Sequence, residues 1–474
     1  MKKMTFIMIF SMLVPFMAGA KDIYVRAGSR GRGKKSKPYG KLWKAIRKAE
    51  RGDVIHVAAG RYHAKGGSGS FTIKVPYLTL VGGYNKAFTK RNPFKYFTIL
   101  ERKKDYRGDF LGLKKGIIQG LDRYNHDGLT IDGFVLNSKS RNAYTQDKSK
   151  IIPKRSWKGP ILMTYARNVK IKNCIIINPY DRGIYSKWMG KKNEISNNFI
   201  INTFYAGIST RSAQPGSKIL IKNNTILFSW FRPGMGGSIG IFIGSKGKTI
   251  IKNNVFGFLQ TEGGAGFAIS NTFGNDDTVL SGNIFFQCQG GIYKYMDEDG
   301  KNLLVHSQNE LDEMEEDSEP YQLSSSKGNR IRDPKLSPDK WYFEKFAKTI
   351  ASNPGKLNMN ALNRWRRRLG INLQAAKGSP RSNWGMAYPY KKVVPYLVSK
   401  TGKGAGHLDF DQYSSTSTKV DKEYEEVTFD VFKPKAAKSL QGKAVIFKAY
   451  IGTKKYSYIL KKYNRKNYQC FTLN

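Results

Sequence analysis

Lys187 and Arg211 each stand three places beyond a Gly-Ile pair, Gly183-Ile184 and Gly207-Ile208. If the two pairs open successive strands of one stack, the Lys and the Arg are neighbours about 5 Å apart at the backbone. Two adjacent cations repel each other, a destabilising choice unless an anion lies between or over them. A Lys beside an Arg gives up its proton more readily and can act as a base, while the Arg neutralises a carboxylate. That pairing suits elimination from a uronic acid, which needs the carboxylate neutralised, a base for the C5 proton and an acid for the departing O4. Tyr185, one residue beyond Ile184, joins Lys187 and Arg211 as a candidate catalytic group.

The other candidates surround this pair. Tyr180, Asp181 and Arg182 lie just before the strand that carries Lys187, and Arg182 and Arg232 are further partners for a carboxylate. The loop aromatics Phe204, Tyr205, Trp230 and Phe231 could stack on sugar rings. Acid-pair hydrolysis has weaker support: Asp276 and Asp277 lie between strands, and Glu262 stands alone.

The elements that position these residues are read from a recurring phrase. It is IKNCIII from Ile171, ISNNFII from Ile195, IKNNTIL from Ile221, IKNNVFG from Ile251 and LSGNIFF from Leu280. A period of this length marks a stacked solenoid, each repeat being one coil of short strands that buries its apolar edge only against its neighbours. Asn198, Asn224, Asn254 and Asn283 align, with Cys174 in the same place one coil earlier. Such a stack passes amide hydrogen bonds along itself at an internal turn, so these residues are structural. Between the phrases come Gly183-Ile184, Gly207-Ile208, Gly240-Ile241, Gly266-Phe267 and Gly291-Ile292. Alternation puts the apolar member inside and makes Tyr185, Ser209, Phe242, Ala268 and Tyr293 an outward row, so Phe242 and Tyr293 are expected to line the ligand face. The next outward row is Lys187, Arg211, Gly244, Ser270 and Tyr295.

With these repeats, and with DIYV at Asp22, PYGKLWKAIRKAERGDVIHVAAGRY from Pro38 and VPYLTLVGGYN from Val75, the chain resembles the pectate-lyase-like right-handed parallel β-helix superfamily. The resemblance spans about residues 21 to 410. It implies an all-β solenoid, an N-terminal capping helix over Leu42 to Glu50, and a ligand face along the strands opened by the Gly-apolar pairs. The chondroitin and alginate lyases of this superfamily carry a Lys and an Arg on nearby coils, so Lys187 resembles their base and Arg211 their substrate-polarising residue or acid. Those lyases commonly hold calcium through Asn and Glu residues. Here the position one coil earlier is read as Thr164 and no ligand set is found, so no cofactor is expected. NPYDRG from Asn178 loosely resembles a motif of mannuronan epimerases, but Tyr180 replaces its acid/base His, which weighs against a C5-epimerase.

Residues 1–20 carry Lys2 and Lys3, an apolar stretch from Met4 to Met17 and a small-residue end, Ala18-Gly19-Ala20. This is the pattern of a secretory signal cut before Lys21, which predicts a secreted or periplasmic protein. Eighty-two Lys and Arg against 35 Asp and Glu give a net charge of +47. A field of that sign concentrates polyanions. The expected partner is an acidic polysaccharide rather than nucleic acid, with no transmembrane segment and a monomeric chain; a non-catalytic polyanion binder is the rival reading. The three Cys and five His show no disulfide or metal spacing.

Residues 297–375 are expected to interrupt the repeat with an acidic run at Glu310 to Glu319 and two helical patterns. Residues 412–474 are expected to form a linker and a small antiparallel β-module, from the alternation in VTFDVF, KAVIFKAYI and KYSYIL.

Overall fold

The computed structural model describes residues 20–67, 70–73, 75–101, 103, 112–115, 127–137, 162–179, 182–187, 190–203, 205–211, 216–229, 238–244, 246–259, 266–271, 274–288, 290–297, 299–332, 334, 391, 406, 445–451, 454–462 and 468–473. The chain divides into two compact units, residues 1–410 and 411–474.

The first unit is a parallel β-helix. Its described strands form three long sheets, and successive strands of the chain visit each sheet in turn. Sheet 1 carries the opening of each phrase, such as Lys170–Lys172, Asn193–Ser196, Lys218–Lys222 and Lys248–Lys252. Sheet 2 carries its apolar end, such as Ile175–Ile177, Phe199–Thr203, Thr225–Ser229 and Val255–Leu259. Sheet 3 carries the strands opened by the small residues. The all-β solenoid expected from the repeats is what the chain adopts.

Two adjacent residues make the turn between sheets 1 and 2. The first is Asn173, Asn197, Asn223, Asn253 or Gly282, each at φ between 52° and 61°. Asn and Gly populate this left-handed region most readily, which accounts for their choice. The second is the ladder position. Asn198, Asn224, Asn254 and Asn283 are fully buried, and each side-chain oxygen accepts the backbone N–H of the residue one coil back, beginning with Cys174. Each Nδ2 donates to a main-chain carbonyl on the preceding coil: Ile171, Ile195, Ile221 and Ile251. Every polar group of a dry turn thus has a partner. Sheet 2 holds a second left-handed column, in which Asn202 donates to Asn178 and Asn178 to Asn137, and Phe228 stacks on Phe258 at 4.8 Å.

The small residues of sheet 3 have a packing cause. A Cβ at Gly207 would lie 2.6 Å from Ile226 Cγ2, and one at Gly240 would lie 2.6 Å from Phe256 Cδ1. Bulk at this corner would push sheet 3 off sheet 2.

Helix α1, Leu42–Lys48, buries Leu42, Ala45 and Ile46 in the core at the N-terminal end. At the other end a strand over Asn302–Val305 pairs antiparallel with Gly291–Met296 and finishes sheet 3. The acidic run then forms α2, Gln308–Glu316, opened by a capping box between Ser307 and Glu310. Its Leu311 and Met314 enter the core, and Asp312 and Glu315 pair with Arg330 at 3.1 and 3.6 Å. The expectation that residues 297–375 break the coil needs correction. Ser325–Lys327 and Arg330–Ile331 add strands to sheets 1 and 2, and Asn329 extends the ladder by accepting from Asn283. The two further helical patterns lie outside the described residues.

In the second unit Val445–Ile451, Lys454–Lys462 and Tyr468–Leu473 make a three-stranded antiparallel sheet. The VTFDVF run lies outside the described residues. No helix among the described residues is long and apolar enough to cross a membrane.

Candidate functional site

Sheet 3 presents the outer face on which the candidate residues fall. Its strands between residues 162 and 296 are Leu162–Tyr165, Arg182–Lys187, Ala206–Arg211, Ser238–Gly244, Gly266–Asn271 and Gly291–Met296. None of these strands contains an Asp or Glu, whereas they contribute Arg182, Lys187, Arg211 and Lys294.

The register pairs Lys187 with Arg211, as the repeat implied, and pairs Arg211 with Gly244. One coil earlier the partner of Lys187 is Tyr165, while Thr164 pairs with Ser186, a buried residue of the neighbouring column. A Tyr, a Lys and an Arg therefore occupy one column on three successive coils, about 5 Å apart at the backbone. Tyr165 was missed in the sequence because its coil has no clear Gly-apolar opening. The signal that could have found it is the spacing of 22 residues back from Lys187 to the Tyr of LMTY.

The column before it also needs revision. It runs Tyr185, Ser209, Phe242, Ser270, Lys294. Ile241 pairs with Ile269, not Phe267, so the register in this coil differs by two places from the Gly-apolar reading. In the next coil Ile269 pairs with Tyr293, a one-residue difference that turns Tyr293 to the other face. Tyr293 is fully buried in the core, where its hydroxyl accepts from Asn271 Nδ2 at 3.0 Å and donates to the Tyr321 carbonyl at 3.1 Å. Burial pushes that phenol well above its ordinary range. Tyr293 is therefore a core residue and not part of a substrate face. Tyr295 is buried as well, and Ala268 points inward.

Arg182 is the first residue of its strand. Its guanidinium lies 4.8 Å from the Tyr185 ring and 4.5 Å from the Tyr205 ring, and its Nε donates to Ser209 Oγ at 3.1 Å. Arg211 lies 5.6 Å from the ring of Phe242, and Lys294 5.3 Å from that of Phe267. Tyr205, Ala206, Ile239 and Phe242 make a small apolar cluster separate from the core. Cations held over aromatic faces gain roughly 0.5–2 kcal/mol. This face is tightly packed: Tyr185, Phe242 and Ser209 are 8%, 6% and 0% exposed. Tyr185, expected to meet solvent, instead serves as a platform for Arg182.

Tyr180, Asp181, Trp230 and Arg232 lie outside the described residues, as do Phe204 and Phe231. Asn178, the first residue of NPYDRG, is fully buried in its side-chain ladder and has a structural role. His56 is likewise structural, stacked on Tyr24 at 4.8 Å and bonded to Tyr84 and Asp22. Among the described residues no three His, Cys, Asp or Glu side chains gather as a metal would require.

A family model described as a right-handed β-helix region matches residues 124–229. No curated protein matches the chain. Among solved structures, an alginate lyase from a Paenibacillus species is 19% identical, over 58% of this chain and 80% of its own, with a TM-score of 0.34. A lacto-N-biosidase from Eubacterium ramulus is 12% identical over 59% and 58%, with a TM-score of 0.39. A pectin methylesterase from Erwinia chrysanthemi is 12% identical over 67% and 96%, with a TM-score of 0.34. At these scores the likenesses assign no chemistry. The family match over residues 124–229, the three-sheet coil and the asparagine ladder agree on a right-handed parallel β-helix as the fold of the first unit.

Proposed function

We propose that this is an exported protein that engages an acidic polysaccharide along the outer face of sheet 3 and cleaves it by β-elimination at a uronic acid. One observation carries the reading: Tyr165, Lys187 and Arg211 share a column, on strands with three cations and no carboxylate. Arg211, with Arg182 beside it, neutralises the substrate carboxylate and acidifies the C5 proton. The neutral Lys187 amine takes that proton, and the electron pair moves through C5 toward C4. The C4–O4 bond breaks, O4 takes the phenolic proton of Tyr165, and a C4=C5 double bond remains. No step requires a metal. The charge of +47 favours the polyanion's approach from a distance.

The tight packing around Tyr185, Ser209 and Phe242 favours a second reading, in which the same face binds the polymer without turnover. Incubation of the purified protein with alginate, pectate, chondroitin sulfate and hyaluronan separates the two. Growth of ultraviolet absorbance from the unsaturated product on any of them supports elimination. Binding with no absorbance change on all four leaves the non-catalytic reading.

A further inference from the structure

Asp53 is 2% exposed, yet the atoms that meet its carboxylate are two backbone amides. Lys21 N–H donates to Oδ1 at 2.9 Å and Glu50 N–H donates to Oδ2 at 2.8 Å. The Lys21 backbone is held from its other side too, because its carbonyl accepts from Val54 N–H at 2.9 Å. The Lys21 side chain reaches Glu50 at 2.6 Å. The cluster thus contains two carboxylates and one ammonium, a charge short of balance in a place where a buried carboxylate is costly. Lys21 is also the residue that follows Ala18-Gly19-Ala20, and Ala20 and Lys21 are exposed.

We infer that the chain is processed at the Ala20–Lys21 bond and that the new α-ammonium of Lys21 docks on Asp53 as an ion pair. Water adds across the amide, leaving a carboxylate on Ala20 and an ammonium on Lys21. The peptidase is of the export class that reads small side chains at the last and third-last positions of the leader. The nitrogen is already within hydrogen-bond distance of Oδ1, so processing adds a charge without moving the strand. A neutral donor becomes a charged one, and the cluster then holds two carboxylates and two ammoniums. Processing in this way pins Asp22–Val25 onto Val54–Ala58, the first strand pair of sheet 1. The inference rests on the export part of the function proposed above, but its docking half is tested without export or polysaccharide.

Two chains that differ only at the N-terminus are compared, one beginning at Lys21 after release from a fusion that leaves no extra residue, the other retaining Ala18-Gly19-Ala20. Hydrogen exchange over residues 22–25 and 54–58 should be about ten-fold slower in the first, as expected for a strengthened charged hydrogen bond. The Asp53→Asn variant should erase the difference. Should that variant fail to fold, α-acetylation of the Lys21 chain removes the charge at the same residue and should return it to the extended chain's exchange. Equal exchange in the two chains, or a difference that survives Asp53→Asn or acetylation, overturns the docking. A mature terminus other than Lys21 in the exported protein overturns the processing.

Discussion

Asn224 gives both its backbone N–H and its side-chain amide to the Oδ1 of Asn254, at 2.9 and 3.0 Å. One oxygen therefore satisfies two buried donors, and Asn254 Nδ2 in turn serves the Ile221 carbonyl and Asn283. Asn254→Ala strands several groups in a dry turn at about 1–3 kcal/mol each. We expect a loss of about 3–5 kcal/mol in urea unfolding. A loss below about 1 kcal/mol would mean that the ladder does not hold the turn.

Tyr293→Phe removes a hydroxyl that bridges Asn271 and Tyr321. The expected cost is about 1–2 kcal/mol of stability, with polysaccharide affinity unchanged. A ten-fold loss of affinity in a folded variant would return this residue to the ligand face.

Cys174 is fully buried and its thiol is pushed up to about 12 by burial. The native chain should resist alkylation there at pH 8 and react fully in denaturant. A thiol whose folded pKa is raised contributes stability that is complete below its unfolded value, near 8.5, and is lost as pH rises toward 12. Cys174→Ser, whose hydroxyl does not titrate in this range, should therefore lose stability less steeply between pH 9 and 11. Identical slopes in the two proteins would contradict the buried-thiol account.

Arg182→Ala removes a cation held between Tyr185 and Tyr205, and Arg211→Ala one held over Phe242. Both should weaken binding to an anionic polysaccharide, and Arg211→Ala should also lower kcat, because its pairing with the carboxylate tightens as charge develops. Retention on immobilised alginate should fall steeply between 0.1 and 1 M salt, since screening shortens to about 3 Å at the higher value. Undiminished retention at 1 M would remove electrostatics as the cause.

Legibility followed how local the physical cause was. The ladder could be read from IKNNTIL and IKNNVFG because the same turn recurs in successive coils and selects Asn at fixed places in most of them. The pairing of Lys187 with Arg211 was legible because their strands open identically. Register failed further on, since Gly266-Phe267 looks like Gly240-Ile241 although Gly266 pairs with Ser238 and Ile241 with Ile269. Only the stacking of whole coils decides between the two, and a slip of one place is enough to turn Tyr293 from the surface to the core. The last coil was hidden because α2 is inserted before Asn329, which breaks the period while leaving the stack intact. The packing of Tyr185 beneath Arg182 depends on Tyr205 and Ser209 from another coil, which no local pattern records.

The most direct test compares wild-type protein with Lys187→Ala on whichever uronan binds, following product absorbance and binding in the same samples. The account predicts steady accumulation of unsaturated product by the wild type. In Lys187→Ala it predicts a loss of at least a hundred-fold, on the order expected for a missing general base, with stability and affinity changed little. Wild-type turnover in Lys187→Ala would contradict it.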